Sequence, residues 1–221
     1  MFTDFYRSFY YGFLIIAAAI SLLYFKKVDK TFRWLCLLII LTLISELTAY
    51  YISQHHTKPN NIVYHIFTPV EYFMYAMIYK MFFDDKKWTK ILSTSIAFLI
   101  GAEILNTFFF QSLEEDPTNI MIAESVLLVF LSLRLFINIR QTPVYENILN
   151  EGVFWFNSAV LFYYSFDILV WGLHHIKVYL LKDPPIIIYS INLLFSGFLY
   201  IVYAASILLN YSSLNKIARK G

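Results

Sequence analysis

The sequence predicts an all-α, polytopic membrane protein: a bundle of seven transmembrane helices with its amino terminus outside and its carboxyl terminus in the cytoplasm. Three observations carry that prediction. The chain is 59% hydrophobic and 14% charged with a mean hydropathy of +0.61, more apolar surface than a water-soluble core built from 221 residues can hide. Seven stretches each reach the roughly 20 apolar residues that a helix needs to cross a bilayer. Lysine and arginine gather in alternate connections, as they do when basic loops stay on the cytoplasmic side.

The first stretch, 6–25, has no basic leader and is too long for a signal sequence, so its Ala17-Ala18-Ala19 run reads as a helix face packed against a neighbour. The second, 32–54, holds Glu46 and the lone Cys36. One cysteine excludes an internal disulfide and any zinc site built on several thiolates, and in an apolar run it reads as a small buried hydrophobe. The third, 61–82, follows Pro59-Asn60-Asn61, where asparagine offers a helix cap. At helical spacing Asn61, Tyr64, His65, Thr68, Glu71, Tyr72, Tyr75 and Tyr79 share an inward side, while Ile62, Ile66, Phe73 and Met77 fall elsewhere. Pro69 lacks the N–H that would bond the His65 carbonyl, which predicts a hinge beside the histidine.

The fourth stretch, 89–111, carries Glu103, Asn106 and Thr107. The fifth, 118–138, begins after Asp116-Pro117, a capping carboxylate followed by a first-turn proline, and holds Glu124. The sixth, 153–176, aligns Asn157, Tyr164, Asp167, Trp171 and His174. The seventh, 185–211, follows Asp183-Pro184-Pro185 and aligns Tyr189, Asn192, Ser196 and Tyr203. No lysine lies between Ile186 and Leu209, so there is no Schiff-base partner for retinal. The longest connection, 139–151, is too short for a soluble domain and is expected along the inner membrane surface; 1–221 therefore reads as a single domain.

Orientation follows from charge. Lys26, Lys27, Lys30 and Arg33, then Lys80, Lys86, Lys87 and Lys90, then Arg134 and Arg140, and finally Lys216, Arg219 and Lys220 fall on one side; Arg7, Lys58, Lys177 and Lys182 fall on the other. A bacterial cytoplasmic membrane is the expected location. The small net charge of +2, confined to short loops, excludes a nucleic-acid-binding surface and leaves the lipid bilayer as the expected surroundings.

Within this topology Glu46, Glu71, Glu103, Glu124 and Asp167 lie at mid-span or in the outer half, and His55, His56, His65, His174 and His175 lie on the same side. An acidic residue at the bilayer centre costs on the order of 2.5–3.5 kcal/mol, so these groups are expected to face one another around an outward-open pocket. With only Arg7 near, they must be protonated, hydrogen-bonded or balanced by a bound cation. His65, Glu71, Glu103 and Asp167 are the primary candidates for binding a cation, supported by Glu46, Glu124, Asn106 and Asn192. His65, Glu71 and Glu103 form the candidate set for a divalent metal. The competing reading is that each polar group merely ties two helices together, at about 0.6–2 kcal/mol per bond.

A weak internal echo links Glu46, His55-His56, Ile62-Val63-Tyr64 and Tyr75 to Asp167, His174-His175, Ile187-Ile188-Tyr189 and Tyr200. It suggests parallel repeats over 1–82 and 118–211, with 89–111 as a linking helix. The favoured function is a sensor-like receptor that binds a cation, metal or small cationic ligand and signals to a membrane or cytoplasmic partner. Three alternatives compete: a small proton- or ion-coupled transporter with a three-plus-one-plus-three layout, an intramembrane metal-dependent lipid hydrolase, and a non-enzymatic subunit of a membrane complex. The lack of a same-face H-x-x-x-H pair weighs against the enzyme.

Overall fold

The ends of the apolar stretches determine where each helix begins. The computed structural model describes residues 2–55, 59–83, 85–141, 148–176 and 186–220, and these form seven α-helices, a short 3-10 helix at Ile148–Asn150 and no strand. The helices are α1 (Phe2–Tyr24), α2 (Lys30–His55), α3 (Asn61–Phe82), α4 (Lys86–Phe109), α5 (Thr118–Gln141), α6 (Gly152–His175) and α7 (Ile186–Lys220). Asp29 caps α2 by accepting the Phe32 N–H at 2.9 Å, and Asp85 caps α4 by accepting the Lys87 N–H at 2.9 Å.

Two expected caps are built differently. Asn60 makes no side-chain cap bond, and the Asn61 amide instead donates to Asp116 at 2.9 Å. The Asp116 carboxylate is thereby drawn to α3 instead of closing the first turn of α5. Asp183-Pro184-Pro185 lies outside the described residues. α3 continues through Pro69, and α7 continues to Lys220, beyond the predicted end at 211.

Six helices, α1, α2, α4, α5, α6 and α7, are long and apolar enough to cross a membrane. α3 is of similar length at 22 residues but less apolar, because His65, Glu71, Lys80 and four tyrosines fall within it. As its spacing predicts, His65, Thr68, Tyr72, Tyr75 and Tyr79 are buried, while Ile62, Ile66 and Phe73 are exposed. Such outward apolar side chains, with Leu22, Leu23, Ile44 and Phe98 on other helices, are compatible with lipid surroundings. Cys36 is buried and free.

Packing arranges six of the helices in a ring. α1, α2 and α3 are consecutive neighbours, α3 meets α5, α5 meets α6, α6 meets α7, and α7 closes against α1. α4 stands outside, against α3 and α5. Glycine permits two of the closest approaches. A Cβ on Gly152 would lie 2.3 Å from the Ser206 carbonyl oxygen on α7, and one on Gly197 would lie 2.4 Å from the Phe9 ring on α1.

Gly152→Ala is therefore expected to force α6 off α7 and to cost about 1–3 kcal/mol, the usual penalty of overpacking. Gly101→Ala on α4 meets nothing within 4 Å and is expected to be neutral or to stabilise by up to about 1 kcal/mol. Unfolding of both variants in the same detergent checks the contrast; equal effects would refute the close approach.

Candidate functional site

The ring encloses a cavity of about 820 Å³ at the end where α1, α3, α5 and α7 begin and α2 and α6 finish. The basic residues Lys26, Lys27, Lys80, Lys86 and Arg140 lie at the opposite helix ends. Every ring helix contributes lining residues and α4 contributes none. Five carboxylates line the space: Glu46, Glu71, Glu124 and Asp167 inside, and Asp116 at the rim. Arg7, exposed at the start of α1, is the one basic side chain among the described lining residues. Asn61 and Glu71 are ten residues apart, so the acid-lined wall extends about 15 Å along α3 at the helical rise of 1.5 Å per residue.

Most of these acids have a neutral donor. The Tyr11 hydroxyl donates to Glu46 Oε2 at 3.2 Å, and the Tyr164 hydroxyl donates to Glu71 Oε1 at 3.1 Å. The Asn192 amide donates to Asp167 Oδ1 at 3.0 Å, while Ser125 Oγ lies 2.8 Å from Oδ2 and is also within reach of the Met121 carbonyl at 2.7 Å. Ser196 and Tyr163 continue this chain, with Ser196 Oγ 3.4 Å from Asn192 Oδ1 and 3.1 Å from the Tyr163 hydroxyl.

Glu124 differs. Its side chain is 3% exposed and lines the cavity within Coulombic reach of Glu71 and Asp167, yet Oε1 is buried without a hydrogen-bond partner. A carboxylate oxygen removed from water normally meets a donor; Oε1 is enclosed by protein without one, and no described residue donates a hydrogen bond to the Glu124 carboxyl.

Below Glu71 the bundle is packed with aromatic rings. The Tyr75 and Tyr203 hydroxyls are 2.5 Å apart, and both rings pack with Phe156. One turn further, the Tyr79 hydroxyl donates to Asn157 Oδ1 at 3.0 Å; Asn157 Nδ2 donates to the Ser132 carbonyl at 2.9 Å, and Ser132 Oγ returns a bond to the Asn157 carbonyl at 3.0 Å. Tyr75, Tyr79, Tyr203 and Phe156 are each at most 1% exposed. They form a floor towards the basic end.

Three of the residues expected in the pocket lie elsewhere. His65 is on the other side of α3, facing α4, and Glu103 and Asn106 are on α4, outside the ring. Glu71 and His65 are six residues apart, about 240° around a helix that turns 100° per residue, so one polar helix serves two partners. His65 Nδ1 lies 2.6 Å from Glu103 Oε1, and Nε2 lies 3.0 Å from the Glu115 carbonyl oxygen. A carbonyl only accepts, so Nε2 carries hydrogen; Nδ1 then either donates to the carboxylate or accepts from the carboxylic acid. Thr107 also donates to Glu103 Oε1, at 3.0 Å. The result is a clip that holds the 110–117 connection against α3 and α4.

Asn106 belongs to the same structural cluster. Its amide donates to Gln111 Oε1 at 3.1 Å, and it accepts from Asn119 at 3.0 Å. The candidate metal set of His65, Glu71 and Glu103 is thus divided between the clip and the cavity. Among the described residues, no three His, Cys, Asp or Glu side chains are placed to hold one metal ion. Histidine is absent from the described lining residues. His174 stands behind the rim, with Nε2 3.3 Å from Asp116 Oδ2 and 3.0 Å from the Tyr189 hydroxyl, which itself donates to Asp116. His55 is exposed, His56 lies outside the described residues, and the His175 side chain is not among those described.

Comparison with protein-family models, curated proteins and solved structures found no match to this chain.

Asp116 joins the cavity without a sequence signal that assigns it there, because beside a proline it reads as a cap. Ser125 does not line the cavity but supports it from behind, through its contact with Asp167. Arg7 lies at the mouth, as its position in the chain predicts.

His65→Ala is expected to destabilise the fold by about 3–5 kcal/mol, because it leaves Glu103 buried without its strongest partner. A double-mutant cycle with Glu103→Ala, read by chemical unfolding in detergent, should give a coupling of about 1–3 kcal/mol. Additive losses would show that the clip is not a unit.

Proposed function

We propose that the chain is a seven-span integral membrane protein of a bacterial cytoplasmic membrane, with α3 as the seventh span. The amino terminus and the cavity mouth face outward, and the protein is a sensor-like receptor for a cationic ligand. One observation carries the ligand reading: Glu46, Glu71, Glu124 and Asp167 share a cavity whose only basic side chain among the described lining residues is Arg7 at the mouth, and Glu124, with Oε1 buried and unpartnered, receives no hydrogen bond from a described residue. Carboxylates in a low-dielectric space favour a positive guest, which supplies both charge and N–H or metal contacts.

The floor supports a receptor over a conduit. A transporter requires the polar path to continue inward, whereas Tyr75, Tyr79, Tyr203 and Phe156 are tightly packed beneath Glu71. A receptor needs only one entrance, with ligand-dependent shifts of the helices passing to a membrane or cytoplasmic partner at the basic end.

The three-plus-one-plus-three transporter remains the second reading because two observations favour it. α4 stands outside the ring, as a linking helix would, and the echoed pairs Glu46 with Asp167 and Tyr64 with Tyr189 line the same cavity.

Two measurements test this proposal. In a Cys36→Ser background, a cysteine replacing Ser112 should react with an impermeant maleimide on intact cells, and one replacing Ser212 should react only after permeabilisation; the reverse pattern would overturn the orientation. Purified protein in nanodiscs should gain thermal stability as organic and inorganic cations are titrated, by about 2.7 kcal/mol at a hundredfold excess over Kd. Glu71→Gln and Glu124→Gln should remove most of that gain, and a gain retained in both variants would move the site elsewhere.

A further inference from the structure

We infer that the ligand of this cavity is a linear polyamine, an extended aliphatic chain bearing several ammonium groups. The inference rests on the cation-binding reading above and narrows it to one chemical class.

Size is the first argument. Cavities that enclose small organic molecules commonly measure about 300–1,000 Å³, and this one, at about 820 Å³, falls in that range, far larger than a bare ion needs. The second is the arrangement of the acids. A metal ion draws its ligands to a single point, yet no three described acidic or histidine side chains are grouped in that way. Glu46 comes from α2, Glu71 from α3, Glu124 from α5 and Asp167 from α6, so acidic groups are distributed around the walls and along the axis. Distributed carboxylates complement distributed ammonium groups.

Hydrogen bonding gives the third argument. Glu46, Glu71 and Asp167 each receive a bond from Tyr11, Tyr164 or Asn192, which holds the carboxylate in place and leaves lone pairs for a guest. Glu124 also lines the cavity, yet no described residue donates a hydrogen bond to its carboxyl, whose Oε1 is enclosed by protein. An ammonium in the cavity beside this carboxyl supplies an N–H that the protein does not, while remaining within Coulombic reach of Glu71 and Asp167. Between these acids the walls include Tyr10, Tyr64, Tyr163 and Tyr200. Their ring faces suit methylene segments and attract the adjacent cationic carbons and nitrogens. The neutral, amphipathic tyrosine wall therefore matches the spacer of a polyamine as the acids match its ends.

The test uses the full chain in nanodiscs and follows thermal unfolding and calorimetric binding with spermidine, butylamine, magnesium chloride and calcium chloride. Spermidine should stabilise the protein at a concentration at least about tenfold lower than butylamine, since each further ammonium adds a charge-assisted contact. Glu124→Gln should weaken spermidine by about tenfold or more and butylamine by less; if that variant does not fold, Glu46→Gln, at the half-buried Tyr11 contact, serves the same purpose. Equal potency of butylamine and spermidine would overturn the polyamine inference and leave a monoamine site. Stabilisation by magnesium or calcium alone would overturn it in favour of metal binding. Stabilisation by none of the four would overturn both this inference and the cation-binding reading.

Discussion

A carboxylate withdrawn from water must meet a donor or a counter-charge, and the architecture of this protein depends on how that requirement is met. Glu46, Glu71 and Asp167 each meet a hydroxyl or amide presented by a neighbouring helix: Tyr11 of α1, Tyr164 of α6 and Asn192 of α7. Each contact crosses a helix boundary, so the bonds that stabilise the acids also set which ring helices face one another. Glu103 meets the same requirement differently, through His65 and Thr107 outside the ring. Glu124 is the exception: no described residue donates to its carboxyl, and its place in the cavity wall is what links the packing of the bundle to binding.

The tyrosines make this arrangement workable. A tyrosine fills core volume as well as phenylalanine does and carries a hydroxyl that can donate to a carboxylate at its tip. Around the cavity that tip points towards acids. Below it, the hydroxyls pair with one another or with Asn157 and Ser95, so the rings close the bundle without leaving polar atoms stranded. The same residue type therefore builds the binding wall above and the seal beneath.

α3 is polar on more than one side. Tyr64, Thr68 and Glu71 reach the cavity, whereas His65 and Tyr72 reach Glu103 and Ser95 on α4. Helical periodicity shows that such residues avoid lipid but contains no information about which neighbour they meet. In the sequence pattern Glu103 is equivalent to Glu71 for the same reason: both are acids at similar depth on apolar helices. Their difference lies in the position of α4, packed behind α3 instead of beside the cavity.

From sequence alone, composition and spacing determined the helices, their approximate limits and the inward side of α3, since burial of apolar area and the local geometry of 3.6 residues per turn act within each segment. They also determined that Glu46, Glu71, Glu124, Asp167 and Asn192 belong at one end of the bundle, because alternating helix direction converts chain position into depth. Tertiary structure alone decided that six helices form the ring and α4 stays out, that His65 and Asn106 serve a clip with Glu103, and that Asp116 enters the cavity while Ser125 backs Asp167. Those outcomes depend on the rotation and neighbour of each helix, which arise from contacts between segments far apart in the chain.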